Sequence, residues 1–125
     1  MLPSDSMTAP GEAIACGLGS VTNGVTINLA TGTATDGTNS VTWDTANGPF
    51  IEDVTGGSGA DNIMGSTRAN IVNGYLGADT INVKDNTPGD IVNCGSDTAT
   101  DTVTKDDGDT LQGNSCDGDT IISTP

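Results

Sequence analysis

The sequence predicts an all-β fold, a right-handed parallel β-roll or β-solenoid whose coils stack on one another. The first observation is a recurring pattern in which an Asp or Asn is followed two residues later by an aliphatic residue. The second is composition, because the 125 residues include 18 Gly but only one Phe, one Trp and one Tyr. So few large side chains predict a fold that is held together by more than a bulky core.

The charge points to a cation as partner. Seventeen acidic residues face three basic ones, giving a net charge of −14, and every acidic residue except Glu12 and Glu52 is Asp. Asp favours turns, whereas helix surfaces favour Glu. Nucleic acid and anionic membranes are poor partners for this charge, and no apolar run is long enough for membrane insertion. Zinc is not expected, because the chain has no His and no Cys-x-x-Cys motif.

The recurring pattern defines a repeat core over about 56–121. Residues 56–64 match every fixed position of the calcium-binding nonapeptide G-G-x-G-x-D-x-U-x, in which U is aliphatic. Residues 74–82 lack only its second glycine, and residues 65–73 keep the first glycine and the aliphatic residue. The successive units, at spacings of 9, 9, 11, 11, 8 and 10 residues, are Asp61/Ile63, Asn70/Val72, Asp79/Ile81, Asp90/Val92, Asp101/Val103, Asp109/Leu111 and Asp119/Ile121.

Each unit is predicted to be a six-residue turn followed by a three-residue strand. Glycines adopt turn conformations that other residues avoid, so backbone carbonyls can face one ion while the Asp adds a carboxylate. Two units make one coil, so the turns alternate between two edges of the roll. On one edge, ions are predicted near Asp61 and Asp79, and then near Asp79 and Asp101.

On the other edge, Asn70, Asp90 and Asp109 hold the equivalent positions. Arg68 brings a positive charge to a glycine position there, so a site beside it is expected to be weak or absent. The predicted calcium ligands on both edges are Gly57, Gly59, Asp61, Gly77, Asp79, Asp90, Asp101 and Asp109. The acidic residues expected to be solvated loop charges are Asp36, Asp44, Asp106, Asp107 and Asp117.

Residues 56–82 resemble the repeats-in-toxin family (RTX, haemolysin type) of secreted bacterial proteins. Residues 24–34 and 50–56 are similar to the strand units that lead into such repeats, and residues 90–116 look like a variant with paired cysteines. The resemblance implies calcium as the bound ion, and a secreted or cell-surface location in a bacterium.

Two further features concern chain organisation. Residues 1–20 are predicted to be a loose N-terminal arm, and residues 21–125 a single solenoid domain with a β segment before the repeats. Cys94 and Cys116 lie 22 residues apart, close to one coil, so a disulfide between them is expected. Cys16 is then free or pairs with another chain.

Trp43 and Phe50 are expected to cap the N-terminal end of the solenoid. No capping unit follows Ile121 and Ile122 at the other end. The arm is therefore expected either to add to the open end of a second copy, giving a head-to-tail oligomer or filament, or to fold back over its own chain.

The predicted function is a calcium-binding extracellular structural protein, such as an adhesin segment or a fibre subunit. One alternative is a non-catalytic accessory module of a secreted enzyme. Another is an ice-binding solenoid, based on alternating threonines at 31–35 and 98–104. No enzymatic activity is expected, because the chain has no His and no Gly-x-Ser-x-Gly motif, and no pair of carboxylates stands out.

Overall fold

The computed structural model describes residues 15–17, 24–37, 40–43, 45, 51–113, 115–116 and 118–125. These residues form strands and turns without a helix, which confirms the all-β prediction. Accordingly, this part of the chain holds no helix of the length and hydropathy that a membrane span requires. The strands are β1 (Ala15–Gly17), β2 (Thr26–Asn28), β3 (Thr33–Thr35), β4 (Ser40–Thr42), β5 (Asp53–Thr55), β6 (Asn62–Met64), β7 (Ile71–Asn73), β8 (Thr80–Asn82), β9 (Ile91–Asn93), β10 (Thr102–Asp106), β11 (Thr110–Leu111) and β12 (Thr120–Thr124).

The strands form two sheets, and the chain alternates between them. The order in the five-stranded sheet is β1-β5-β7-β9-β11, and in the seven-stranded sheet it is β12-β10-β8-β6-β2-β3-β4. Neighbouring strands are parallel except at β2–β3 and β3–β4. The pairs β5/β6, β7/β8, β9/β10 and β11/β12 are therefore four successive coils, and the predicted parallel β-solenoid is confirmed.

The core is narrow, because each short strand turns one central aliphatic side chain inward. Strand β6 shows the pattern: Ile63 is fully buried between the exposed residues Asn62 and Met64. Full burial of one such side chain is worth about 1.5–3 kcal/mol. The column in the seven-stranded sheet contains Ile27, Ile63, Ile81 and Val103, and that in the five-stranded sheet Val54, Val72 and Val92.

Strand β1 lies within the range predicted to be a loose arm, yet it belongs to the five-stranded sheet. It pairs in parallel with β5, and Cys16 is in register with Val54. Residues 15–17 thus extend the five-stranded sheet at its N-terminal end. The rest of residues 1–20 lies outside the described residues.

An antiparallel hairpin, β3–β4, extends the N-terminal end of the seven-stranded sheet. The turn from β2 into this hairpin uses Gly32 at φ +72°, and the reversal between β3 and β4 includes Gly37 at φ +88°. The Gly32 carbonyl accepts a hydrogen bond from the Trp43 N–H (2.9 Å). The Trp43 side chain is partly buried against the core at this end. Phe50, the other predicted cap, falls outside the described residues.

A disulfide joins Cys94 and Cys116, as predicted, with a Cα–Cα distance of 5.1 Å. Both side chains are buried. The bond ties the turn that follows β9 to the turn that follows β11, where the last coil has only a two-residue strand in the five-stranded sheet. It therefore anchors the C-terminal coil to the rest of the stack.

Replacing both cysteines by serine is expected to lower the free energy of unfolding by about 3 kcal/mol, because the bond closes a loop in the unfolded chain. Denaturant titration measures the change. Trypsin cuts after Lys84 and Lys105, so the bond predicts that peptides 85–105 and 106–125 run as one linked species before reduction. Recovery of both peptides with unmodified thiols would contradict the pairing.

Candidate metal centre

Acidic side chains line the turns at both edges of the solenoid. We call the turns that follow strands of the five-stranded sheet the first edge (56–61, 74–79, 94–101 and 112–119). The turns that return from the seven-stranded sheet form the second edge (65–70, 83–90 and 107–109). Because the coils stack in register, equivalent turn positions lie above one another.

Four aspartates form a column on the first edge. The Asp61 N–H donates to Oδ1 of Asp79 (2.8 Å), the Asp79 N–H to Oδ1 of Asp101 (2.7 Å), and the Asp101 N–H to Oδ1 of Asp119 (2.9 Å). Asp61, Asp79 and Asp101 are buried, and Asp119 is half-buried. The predicted pairs Asp61/Asp79 and Asp79/Asp101 are thus brought together.

The second carboxylate oxygens in this column differ in their partners. Oδ2 of Asp61 accepts from the Gly57 N–H (2.5 Å). Asp79 is only 1% exposed, and its buried Oδ2 has no hydrogen-bond partner among the described residues. Burial, with smaller contributions from the charges of neighbouring aspartates, raises the pKa of Asp79 to about 8. Burial also raises the pKa of Asp61 and of Asp101.

An ionised carboxylate that is buried without a partner carries a large desolvation cost. At neutral pH the Asp79 position therefore requires either a proton or a cation. Among the described residues, the hydrogen-bond and charge partners of Asp79 are all backbone groups and aspartates, and none is a basic side chain. A cation with oxygen ligands fits this environment.

The predicted glycine ligands lie in the backbone around this column. A Cβ at Gly74 would overlap Oδ2 of Asp79, so the turn must have glycine there. Gly77 has φ +104°, and a Cβ on it would lie 2.5 Å from the Gly59 carbonyl oxygen of the previous coil. The glycines thus allow adjacent turns to approach closely, and they keep carbonyl oxygens near the carboxylates.

A small cavity of about 120 Å³ lies between the last two turns of the first edge. Three carboxylates line it, those of Asp97, Asp101 and Asp119. Asp97 and Asp119 are missing from the predicted ligands. Asp119 belongs to the recurring pattern and was identifiable from it, whereas Asp97 lies in an irregular turn outside the nonapeptide.

The first turn of the second edge (65–70), which we call its N-terminal level, contains an amide in place of a carboxylate. Oδ1 of Asn70 accepts from the Ser66 N–H (2.7 Å), and its Nδ2 donates to Oγ of Ser66 (3.3 Å) and to the Glu52 carbonyl (3.4 Å). The guanidinium of Arg68 pairs with the Glu52 carboxylate at 2.7 Å. Asn70 therefore has protein partners for both polar atoms, and this level does not require a cation.

The C-terminal level of the second edge is acidic. Oδ1 of Asp90 accepts from the Asn70 N–H (2.7 Å), whereas its Oδ2 is buried without a partner in the described structure. Burial first, and then the nearby carboxylates of Asp109, Asp85 and Asp106, raise the pKa of Asp90 to about 7. Asp109 continues the column, because its Oδ1 accepts from the Asp90 N–H (3.0 Å).

The prediction that Asp106 is a solvated loop charge is wrong. Asp106 ends β10 and is 6% exposed. Its Oδ2 accepts from the N–H groups of Asp85 (2.9 Å) and Asn86 (2.8 Å), and Lys84 Nζ lies 3.2 Å from Oδ1. These contacts lower its pKa. The reason lies in the tertiary structure, because the adjacent coil presents the Asp85 and Asn86 N–H groups to this carboxylate.

The other predicted loop charges differ in exposure. Asp107 is exposed and Asp36 is half-buried, while Asp44 and Asp117 lie outside the described residues. The Cys94 and Cys116 sulfurs lie close to the Asp119 carboxylate, but the disulfide leaves them no thiolate to bind a metal.

Fold and site together define a class: an acidic parallel β-solenoid with a stack of buried carboxylates along each edge. In comparisons with known proteins, no family model, no curated protein and no solved structure matches the chain.

Proposed function

We propose that this chain is a calcium-binding structural module in which ions between successive turns hold the coils together. The observation that carries the proposal is the buried, unpartnered Oδ2 of Asp79 within a column of stacked aspartates. Asp90 repeats the same feature on the second edge. A cation at each level would replace the missing partner and offset the repulsion between carboxylates that lie one coil apart.

Calcium suits these groups better than other common ions. It takes six to eight oxygen ligands in flexible geometry, including carboxylates and backbone carbonyls. Magnesium demands a near-ideal octahedron, and zinc prefers His and Cys ligands. The chain has no His, and Cys94 and Cys116 are in a disulfide.

The setting that fits this proposal is extracellular. A structural disulfide persists in oxidising compartments. Extracellular calcium modules bind with dissociation constants on the order of 10⁻⁴–10⁻³ M. Together with the resemblance of residues 56–82 to repeats-in-toxin proteins, these points favour a secreted or surface-attached bacterial module, such as an adhesin segment or a fibre subunit.

The test compares calcium binding by the wild type with that of Asp61→Ala, Asp79→Ala and Asp36→Ala. The first two variants remove a carboxylate from the first edge, and each is expected to weaken binding at its own level by about tenfold, or roughly 1.4 kcal/mol. Asp36 follows β3, two strands away from Asp61 and outside the hydrogen-bonded column of aspartates, and its variant is expected to bind as the wild type does. Isothermal titration calorimetry measures all four proteins.

Circular dichroism in calcium excess checks that each variant is folded. Equal loss of binding in all three variants would show that calcium is held only by diffuse negative charge. Unchanged binding in Asp79→Ala would contradict the proposed site.

A further inference from the structure

Charged side chains are excluded from the two outward columns of the seven-stranded sheet, although the chain carries a net charge of −14. The first column runs in register through Ser40, Thr35, Thr26, Asn62, Thr80, Thr102 and Thr120. The second column runs in the same way from Thr42 to Ile122. We call these two columns the threonine face. Its fourteen residues are eight Thr, three Asn, one Ser, one Met and one Ile.

The tertiary structure builds this face only in part from the residues that the sequence indicated. Of the alternating threonines at 31–35 and 98–104, Thr33, Thr35, Thr102 and Thr104 lie in it, whereas Thr31, Thr98 and Thr100 lie in turns. The regular array runs across the strands, because the coils stack in register. The outward residues of β5, β7, β9 and β11 in the five-stranded sheet differ, since they include the acidic Asp53 and only two threonines, Thr55 and Thr110.

We propose that the threonine face binds the surface of ice. Neighbouring strands are about 4.8 Å apart and outward residues along one strand are about 6.7 Å apart, so the face is a two-dimensional lattice of hydroxyl, amide and methyl groups. These repeats are of the same order as those of the ice lattice. A threonine hydroxyl can join an ordered water layer while its methyl group excludes disordered water.

Rigidity and charge both favour this occupant. The β-branched threonine side chain has few rotamers, and a sheet that is hydrogen-bonded from β4 to β12 fixes its position, so little conformational entropy is lost on binding. Charged groups hold their own hydration shells, and both columns lack them. A crystalline polysaccharide is a poorer fit, because proteins usually bind such surfaces through exposed aromatic rings. Neither column contains an aromatic residue.

The experiment measures inhibition of ice recrystallisation by the full chain in calcium-containing buffer. The test variant is Thr80→Tyr, which places a bulky ring in the middle of the threonine face. The control is Thr110→Tyr on the five-stranded sheet. Thr80 and Thr110 are both exposed, and each is the first residue of a strand that follows a column aspartate. Circular dichroism and calcium titration confirm that both variants are folded and loaded.

We expect the wild type and Thr110→Tyr to inhibit recrystallisation equally. Thr80→Tyr is expected to need roughly tenfold more protein for the same effect, because its ring would obstruct the centre of the contact surface. The proposal would be overturned if the folded wild type did not inhibit ice recrystallisation relative to buffer alone. Equal losses in the two variants would do so too. Binding to crystalline cellulose or chitin without an effect on ice would assign the face to a polysaccharide instead. Because folding and calcium loading are measured separately, failure of the calcium proposal is distinguishable from failure of this one.

Discussion

Removal of calcium is expected to abolish the β-sheet signal of this protein at neutral pH and to restore it when calcium is returned. The core has one central aliphatic side chain per strand, and the net charge of −14 opposes the compact state. Each occupied site adds about 2.7 kcal/mol of stability when calcium is at 100 times its Kd. Two such sites would match the lower end of the roughly 5–15 kcal/mol that stabilises a typical domain.

Far-UV circular dichroism during titration with a chelator, followed by calcium and separately by magnesium, measures this effect. We expect calcium to restore the spectrum and magnesium to do so poorly, because the stacked carboxylates and carbonyls do not offer an ideal octahedron. The Cys94–Cys116 bond stays intact throughout, so the change reports on the ions alone. An unchanged spectrum and melting temperature in excess chelator would rule out calcium-driven folding.

In the absence of calcium, acidification is expected to stabilise the fold. The folded-state pKa of Asp79 is about 8, against an ordinary value of 3.8, because the carboxyl group is buried. The pKa of Asp90 is raised to about 7 for the same reason. Between the ordinary and the raised pKa the folded state binds more protons than the unfolded state, so stability must fall as the pH rises through this window.

Each unit of pKa shift corresponds to about 1.4 kcal/mol, so the two groups together are worth several kcal/mol between pH 5 and pH 8. Calcium-free protein that is unfolded at pH 8 is therefore expected to regain β structure near pH 5. Calcium should remove this dependence, because a bound ion keeps the carboxylates charged. Melting curves and circular dichroism over this pH range, with and without calcium, provide the measurement.

Asp79→Asn is the matched variant for this prediction. It keeps the size of the side chain and an oxygen that can accept the hydrogen bond from the Asp61 N–H, but it cannot ionise. We expect it to be more stable than the wild type at pH 8 without calcium, to depend less on pH, and to bind calcium more weakly. A calcium-free wild type whose stability is flat or rises from pH 5 to pH 8 would contradict the assignment.

The local repeat was sufficient to predict the architecture. A turn of about six residues followed by a three-residue strand repeats whatever the neighbouring coil does, so the inward positions of Ile63 and Ile81 follow from the pattern alone. Because two units make one coil, the same pattern also predicts that successive turns alternate between the two edges. It places Asp61 beside Asp79, and the 22-residue interval brings Cys94 to Cys116.

Only the tertiary structure decided which polar atoms find partners. Asp61, Asp79 and Asn70 hold equivalent positions in their units, yet only Asp79 of the three has a buried oxygen without a partner. Gly57 and Ser66 donate their N–H groups to Asp61 and Asn70, whereas the equivalent Tyr75 has φ +79° and donates to Oδ1 of Asn73. The burial of Asp106 has the same origin. The threonine face also required the structure, since its columns join residues as far apart in sequence as Thr26, Asn62 and Thr80. Periodicity along a chain describes one coil, whereas register between coils determines which side chains share a surface.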